Sequence, residues 1–118
     1  MKTVKVTADN VVSIIDVDFD DFRDIQRAVG GHFETVHTAR MAKVFGTDII
    51  MLVDEDGLMK GLPVNMLGCT LYGTAVHGSP IVGDLVFAKA MGEDITGVDV
   101  PEKLKSYLLK IFSGLKEA

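Results

Sequence analysis

A histidine and a glutamate two residues apart, His32 and Glu34, are the side chains best suited to chemistry in this sequence. Residues two apart in a strand share one face, so the imidazole and the carboxylate can act as an acid/base pair or as two metal ligands. Zinc sites use three or four ligands at recognisable spacings, and the chain has no Cys-x-x-Cys or His-Glu-x-x-His motif. A third candidate, His37, falls on the opposite strand face. We therefore predict no catalytic residue and no metal site.

A second polar candidate, Asn65, ends the segment Gly-Leu-Pro-Val-Asn at residues 61–65. Pro63 fixes its own backbone dihedral and favours an extended Leu62, so Asn65 is presented from a constrained segment. An amide offers both a donor and an acceptor, which suits a base edge, a ribose or a peptide group. The alternative is that Asn65 bonds neighbouring backbone and fixes a turn.

Five aspartates form the densest acidic cluster: Asp16, Asp18, Asp20, Asp21 and Asp24. The spacing of the first three matches the opening of a calcium loop. The sixth loop position, which should be glycine, is Asp21, and the twelfth, which should be glutamate, is Arg27. We instead predict that Asp18 or Asp20 caps a helix and that Asp21 lies in its first turn, where the helix dipole favours negative charge.

Periodicity predicts the elements that position these residues. Apolar alternation and β-branched runs predict strands at residues 3–7, 11–17, 32–39, 47–53 and 81–88, and the run 47–53 is apolar enough to be central. A helix between the second and third strands has an apolar stripe of Phe22, Ile25, Ala28 and Val29. It ends at Gly30, which can adopt the left-handed cap conformation.

Turn residues and small residues predict the connections. Residues 54–57 form a hairpin turn from which 58–61 return antiparallel, 40–43 are a crossing loop, and 91–97 are a linker. Residues 66–72 are a helical turn or an irregular segment. Residues 73–80 are a long loop of the kind that borders binding sites, and Gly83 marks a bulge or a close approach in the last strand.

The C-terminal segment has the clearest helical periodicity. Residues 99–102 have the form of a capping box, and the apolar stripe comprises Leu104, Tyr107, Leu108, Ile111, Phe112 and Leu115. The stripe favours packing on the sheet, with a homo-oligomer contact as the alternative. We predict an α+β fold: a small, mostly antiparallel sheet with one helix after strand 2 and a C-terminal amphipathic helix packed on it.

Composition limits the classes of partner. The 118 residues fit one domain spanning 1–118. A net charge of −5 and the absence of a basic stripe exclude generic binding of duplex nucleic acid. We expect no membrane partner, because the sequence has no long apolar run and no signal peptide at residues 1–5. A lone cysteine, Cys69, cannot form an internal disulfide and suits a cytoplasmic location.

An ordered set of short motifs resembles a family of domains of unknown function from phages, plasmids and Gram-positive bacteria. The motifs are Val-Gly-Gly-His-Phe-Glu at 29–34, Leu-Pro-Val-Asn at 62–65, Thr-Leu-Tyr at 70–72 and Ile-Val-Gly at 81–83. The resemblance covers about residues 10–90. Family members often have arginines after the asparagine, where this chain has Met66, Leu67 and Gly68, and Cys69 replaces a common alanine.

The resemblance implies a small phage-type protein that acts by binding. The residues leave an enzyme that uses Glu34 with His32, His37 and His77 as the least supported alternative, and we expect no cofactor. The first hypothesis is a binder of a small nucleotide-like ligand, such as a sponge that sequesters a nucleotide immune signal in the host cytoplasm. Its pocket would contain Gly30, Gly31, His32, Glu34, Asn65, Thr70, Tyr72 and Gly83. The alternative is a protein interaction module that acts on a host or phage protein through the acidic face at residues 16–24 or through an exposed sheet edge.

Overall fold

Seven strands form one sheet in the computed structural model, which describes all residues from Met1 to Ala118. The strands are β1 (Lys2–Val6), β2 (Val11–Asp16), β3 (Phe33–Val36), β4 (Ile49–Asp54), β5 (Leu85–Met91), β6 (Asp94–Thr96) and β7 (Lys116–Glu117). Their order is β3-β4-β5-β1-β2-β7, and β6 pairs with the end of β5. Every pair is antiparallel except β2 with β7. The predicted α+β class with a mostly antiparallel sheet is confirmed.

Five helices cover the two faces of this sheet unequally. They are α1 (Phe22–Val29), α2 (Ala39–Phe45), α3 (Met66–Tyr72), α4 (Thr74–His77) and α5 (Pro101–Ile111). Helix α1 alone packs on one face, against β3, β4 and β5, while α2, α3 and α5 share the core of the other face. None of the five helices has both the length and the apolar character needed to span a bilayer.

The two faces have separate apolar cores. On the α1 face, Ile25 and Val29 pack with Leu52 and Val86. On the other face, the buried side chains include Met41, Leu67 and Leu108 from the helices and Val4, Met51 and Phe87 from the strands. Strands β4 and β5 are buried on both faces, as the apolar run at 47–53 predicted for β4.

Local hydrogen bonds explain where two predicted connections differ from the structure. Residues 40–43 belong to helix α2, because the Thr38 side chain accepts a hydrogen bond from the backbone N–H of Met41 at 3.2 Å and begins the helix. Residues 58–61 form turns instead of a returning strand. The backbone N–H of Lys60 donates to Asp56 O and that of Gly61 to Leu58 O, which are the bonds of tight turns and not of a strand ladder.

The last predicted strand is displaced along the chain. Gly83 has a φ of +77°, and the chain bends there, so β5 begins at Leu85 and continues to Met91. The group that approaches Gly83 is the side chain of Leu62, whose Cδ1 atom would lie 2.8 Å from an added Cβ. The predicted linker at 91–97 contains β6, which forms a hairpin with β5.

The acidic cluster begins α1 in a different register from the prediction. Asp21 is the N-cap, and its side chain accepts a hydrogen bond from the N–H of Arg23. Asp18 and Asp24 hold the preceding turn, because Asp18 accepts from the N–H of Asp20 and Asp24 accepts from the N–H of Asp18. The predicted left-handed cap at Gly30 is confirmed, with a φ of +105°.

The C-terminal helix packs on β1 and β2, as predicted, but its capping box does not form. Val100 is the N-cap without a side-chain hydrogen bond, and Pro101 occupies the first turn. The Asp99 carboxylate instead accepts two hydrogen bonds from Lys89, at 2.9 and 3.1 Å. Within the apolar stripe, Leu108 is buried while Tyr107 and Ile111 are exposed.

The amide of Asn65 joins three parts of the fold and is 0% exposed. Its Nδ2 atom donates to the carbonyl oxygens of Val6 at 3.1 Å and Gly83 at 2.9 Å. Its Oδ1 atom accepts from the N–H of Gly68 at 3.0 Å and caps α3. Asn65 therefore ties the end of β1, the bend before β5 and the start of α3 together.

We expect Asn65→Ala to lower the free energy of unfolding by about 2–4 kcal/mol, because it removes a helix cap and leaves buried carbonyl groups without a donor. Urea unfolding measures this change. Thr70→Ala, on the exposed side of the same helix, is the matched control and should change stability by less than about 0.5 kcal/mol. A small effect of Asn65→Ala would show that the amide does not hold these segments together.

We expect Asp24→Asn to lower the melting temperature at pH 7 but not in strong acid. Hydrogen bonds from the N–H of Asp18 and from Arg27 hold the pKa of Asp24 below its ordinary value. A depressed carboxyl pKa stabilises the fold above the unfolded-state pKa of about 3.9, and the gain disappears as the pH falls through the lower folded-state pKa. Thermal unfolding from pH 7 to pH 2 should therefore show a difference in melting temperature between wild type and variant that disappears in acid.

Asp20→Asn is the control for this prediction, because the Asp20 carboxylate accepts no hydrogen bond. A difference in melting temperature that does not depend on pH would contradict a stabilising role for the ionised Asp24.

Candidate functional site

The eight residues predicted to form one ligand pocket lie in three places. Glu34 and Tyr72 line a cavity of about 380 Å³ beside the edge strand β3, which we call the edge pocket. Gly30, Gly31 and His32 form the turn between α1 and β3. The remaining three belong to the α3 region: Asn65 and Gly83 are buried, and Thr70 is exposed with its hydroxyl donating to Met66 O.

The edge pocket lies on the sheet face that carries three helices. Its walls include Glu34 and Val36 of β3, His37, Tyr72 at the end of α3, and the segment 79–82. The Tyr72 ring lies 4.8 Å from the His77 ring, centroid to centroid. Its carboxylates are Glu34, Asp54 and Glu55, and no lysine or arginine lines it. The pocket therefore offers aromatic rings and carboxylates but no lysine or arginine to pair with a phosphate.

Two of the other predicted residues, Asn65 and Gly31, are held by contacts within the protein. Both hydrogen-bonding ends of the Asn65 amide are already used by backbone groups. A Cβ on Gly31 would lie 2.6 Å from Lys60 Nζ and 2.8 Å from the Asp54 carboxylate, so glycine is needed beside this ion pair. The structure thus brings Glu34 and Tyr72 to one cavity, whereas the Asn65 amide is bonded to backbone groups of the core.

The carboxylates closest to His32 are not the one that sequence spacing indicated. Strand β3 pairs with β4 so that Phe33 lies opposite Asp54, and the N–H of Glu55 donates to the carbonyl of His32 at 2.9 Å. His32 Nδ1 consequently lies 3.9 Å from Glu55 Oε1 and 4.0 Å from Asp56 Oδ2.

The Asp54–Lys60 ion pair holds the turn that carries these carboxylates. Lys60 Nζ lies 2.6 Å from Asp54 Oδ2, and Asp54 Oδ1 accepts a hydrogen bond from the N–H of Asp56 at 2.9 Å. Burial raises the pKa of Asp54, but the hydrogen bonds from Lys60 and Asp56 and the positive charge of Lys60 outweigh it and hold the pKa below its ordinary value. The buried carboxylate is therefore ionised and fixes the turn.

A larger cavity of about 1050 Å³ lies on the other face of the sheet, beside the N-terminal half of α1. We call it the acidic groove. Its apolar lining includes Val17, Phe19, Ile25, Phe33 and Ile95, and its six carboxylates are Asp16, Asp18, Asp20, Asp24, Glu93 and Asp94. Phe22 at its rim is 73% exposed and stacks on Phe33 with ring centroids 5.8 Å apart. The acidic cluster and the β5–β6 hairpin thus share one apolar cleft.

The charge in the acidic groove is only partly balanced. The amino group of Met1 lies 2.7 Å from Asp16 Oδ1, and this hydrogen bond lowers the pKa of Asp16. Arg27 contacts Asp24 from outside the lining. Asp20, Glu93 and Asp94 take part in no ion pair, and no lysine or arginine side chain lines the groove. The six carboxylates outnumber the single amino group of Met1 in the lining, and this excess of negative charge attracts cations and repels phosphates.

The edge of the sheet separates the two cavities. Strand β3 pairs only with β4. The hydrogen bond from the N–H of Glu55 to His32 O shows which residues of β3 turn their backbone groups toward β4 and which turn them outward. In that register Glu34 bonds to β4, while the backbone N–H and C=O groups of Phe33 and Thr35 point away from the sheet. Thr35 lines both the acidic groove and the edge pocket. The free edge therefore runs between two carboxylate-lined cavities.

Sequence reasoning missed Glu93 and Asp94 because the hairpin that brings them to the groove was predicted as a linker. Gly92, with a φ of +62°, follows a strand run and precedes Glu93, which is the pattern of a two-residue hairpin turn. That signal was available in the sequence.

Comparisons with known proteins place the chain in a family without adding an activity. Neither the curated proteins nor the solved structures provide a match. A family model described as a domain of unknown function, DUF3846, matches residues 1–113. This span covers nearly the whole chain, including both cavities and the edge strand, so the protein belongs to the DUF3846 family.

Proposed function

We propose that the protein is a binding module for a basic, extended segment of a partner protein, taken up at the acidic groove and the free edge of β3. The observation that carries the proposal is the set of six carboxylates around an apolar cleft of about 1050 Å³ that no lysine or arginine side chain lines. An apolar floor with an acidic rim fits a partner that has both cationic and apolar side chains.

The free edge supplies a binding mode for such a segment. A peptide strand added beside β3 would pair with the outward N–H and C=O groups of Phe33 and Thr35. Successive side chains of a strand point to opposite faces, so alternate residues would enter the acidic groove and the edge pocket. Both cavities are lined by carboxylates, which favours basic residues on both faces of the added strand.

Sequestration of a nucleotide in a phage context remains a prediction from the family resemblance. Phosphate sites in proteins use lysine, arginine or free backbone amides. Neither cavity is lined by a lysine or arginine, and the backbone N–H groups of Gly30 and Gly31 both donate to Gln26 O. The geometry therefore favours the interaction module over the nucleotide sponge.

Charge reversal in the acidic groove should weaken binding of a fluorescent octapeptide that alternates arginine and valine. We expect Asp20→Lys/Asp94→Lys to raise the Kd about tenfold or more at low salt, because it converts two attractions into repulsions. Fluorescence anisotropy at 20 and 300 mM NaCl measures the Kd and its salt dependence.

The control, Asp9→Lys/Glu102→Lys, makes the same change in net charge outside both cavities. Equal losses in the two variants would mean that the peptide responds only to total charge. Equal affinity for a peptide alternating glutamate and valine would also contradict the proposal. A rise in melting temperature with ADP-ribose or a cyclic dinucleotide, together with no peptide binding, would favour the nucleotide sponge instead.

Thr35→Pro tests the strand edge separately from the groove. Proline removes the outward N–H of Thr35 that an added strand requires, and edge positions of this kind tolerate proline. We expect an unchanged far-UV circular dichroism spectrum and at least a tenfold loss of peptide affinity, about 1.4 kcal/mol. Thr35→Val keeps the N–H and should retain binding. If Thr35→Pro binds normally while Asp20→Lys/Asp94→Lys does not, the groove binds the peptide without strand addition.

A further inference from the structure

The turn after β4 and the turn before β3 bring one imidazole and two carboxylates together at the surface. His32 Nδ1, one oxygen of Glu55 and one oxygen of Asp56 all lie within 4.8 Å of one another. These three side chains lie outside the acidic groove, and Glu55 also lines the edge pocket. From this cluster we propose that the protein has a binding site for a divalent transition-metal ion, held by His32, Glu55 and Asp56.

The backbone of both turns is fixed without the ion. The N–H of Glu55 donates to His32 O at 2.9 Å, and the N–H of Asp56 donates to the buried Asp54 carboxylate at 2.9 Å. Lys60 neutralises Asp54 from the other side at 2.6 Å. Only the side chains of the three ligands need to move, so the entropic cost of forming the site is confined to side-chain rotamers.

The three donor atoms must move closer together to bind one ion. Donor atoms around a tetrahedral ion with bonds of 2.0–2.2 Å lie roughly 3.4 Å apart. The separations from His32 Nδ1 are 3.9 and 4.0 Å, and the His32 side chain is 69% exposed and free to rotate. Closing the three donors to this spacing takes about 0.5 Å from His32 Nδ1 to each oxygen and at most about 1.4 Å between the two oxygens.

The donor set selects the class of metal. Imidazole suits zinc, copper, iron and nickel, whereas magnesium and calcium prefer sites made only of oxygen ligands. Three protein ligands leave at least one coordination position open to water or to a donor from another molecule. The Asp54–Lys60 pair cannot serve as a fourth ligand, because the Asp54 oxygens are occupied by Lys60 and by the N–H of Asp56.

The alternative interpretation of the cluster is a surface contact between the His32 ring and its two acidic neighbours. That interpretation predicts no saturable affinity for metal. The sequence did not indicate this cluster, because spacing within one strand paired His32 with Glu34, whereas the β3–β4 register brings Glu55 and Asp56 close to it.

Isothermal titration calorimetry of the full chain, with any affinity tag removed, tests the proposal. We expect Zn²⁺ to bind with a stoichiometry of one, Co²⁺ to bind at the same site with visible d–d absorption, and Mg²⁺ to bind at least tenfold more weakly. His32→Ala and Glu55→Gln/Asp56→Asn should each lower the Zn²⁺ affinity at least tenfold. All three ligands lie at the surface, so these variants should fold, and their circular dichroism spectra check this.

His37→Ala is the matched control, because it removes an exposed histidine outside the cluster. We expect it to keep wild-type Zn²⁺ affinity. The site would be refuted by the absence of saturable Zn²⁺ binding, by unchanged affinity in His32→Ala, or by an equal loss in His37→Ala. Peptide binding at the acidic groove is measured without metal, so failure of the metal site leaves the proposed interaction function to its own test.

Discussion

The buried amide of Asn65 is the polar contact on which the assembly of the helical layer depends. Its three hydrogen bonds join β1, the bend before β5 and the first turn of α3, and all three partners are backbone groups. A buried amide is stable only when its donors and acceptor are paired, so these segments must come together for the core to close. Once they do, α3 fixes Tyr72 at the wall of the edge pocket.

Unequal coverage of the two sheet faces explains why the acidic groove exists. Strands β4 and β5 are buried on both sides, which requires helices on each face. The α1 face receives a single helix of eight residues, about 12 Å long, which packs against β3, β4 and β5. The cleft at its N-terminal end is therefore bounded by the β5–β6 hairpin and not by a second helix. The helix cap and the turn before it use aspartate side chains as acceptors, so part of the acidity of the groove is a consequence of how α1 begins.

The sequence predicted the strands and helices that depend on the pattern of neighbouring residues. It did not predict the side-chain contacts that depend on residues far apart in the chain. The runs that became β1, β2 and β4, the apolar stripe of α1 and the cap at Gly30 follow from periodicity and from glycine chemistry. Asn65 had two interpretations because its partners Val6 and Gly83 lie 59 and 18 residues away. Asp99 had the correct spacing for a capping box, but Lys89 on β5 competes for its carboxylate. The neighbours of His32 depend on strand register, which spacing within one strand cannot reveal.

The acidity around β3 also limits what can pair with its free edge. An exposed strand edge promotes self-association, and proteins protect such edges by keeping them short and by placing charges beside them. Strand β3 has four residues, and carboxylates line the cavities on both of its faces. A second copy of the chain aligned edge to edge would bring the same negative charges into both cavities, and like charges across an interface are strongly unfavourable. A basic strand would be attracted by the same carboxylates. The charges that protect the edge from self-pairing are therefore also those that would select a cationic partner.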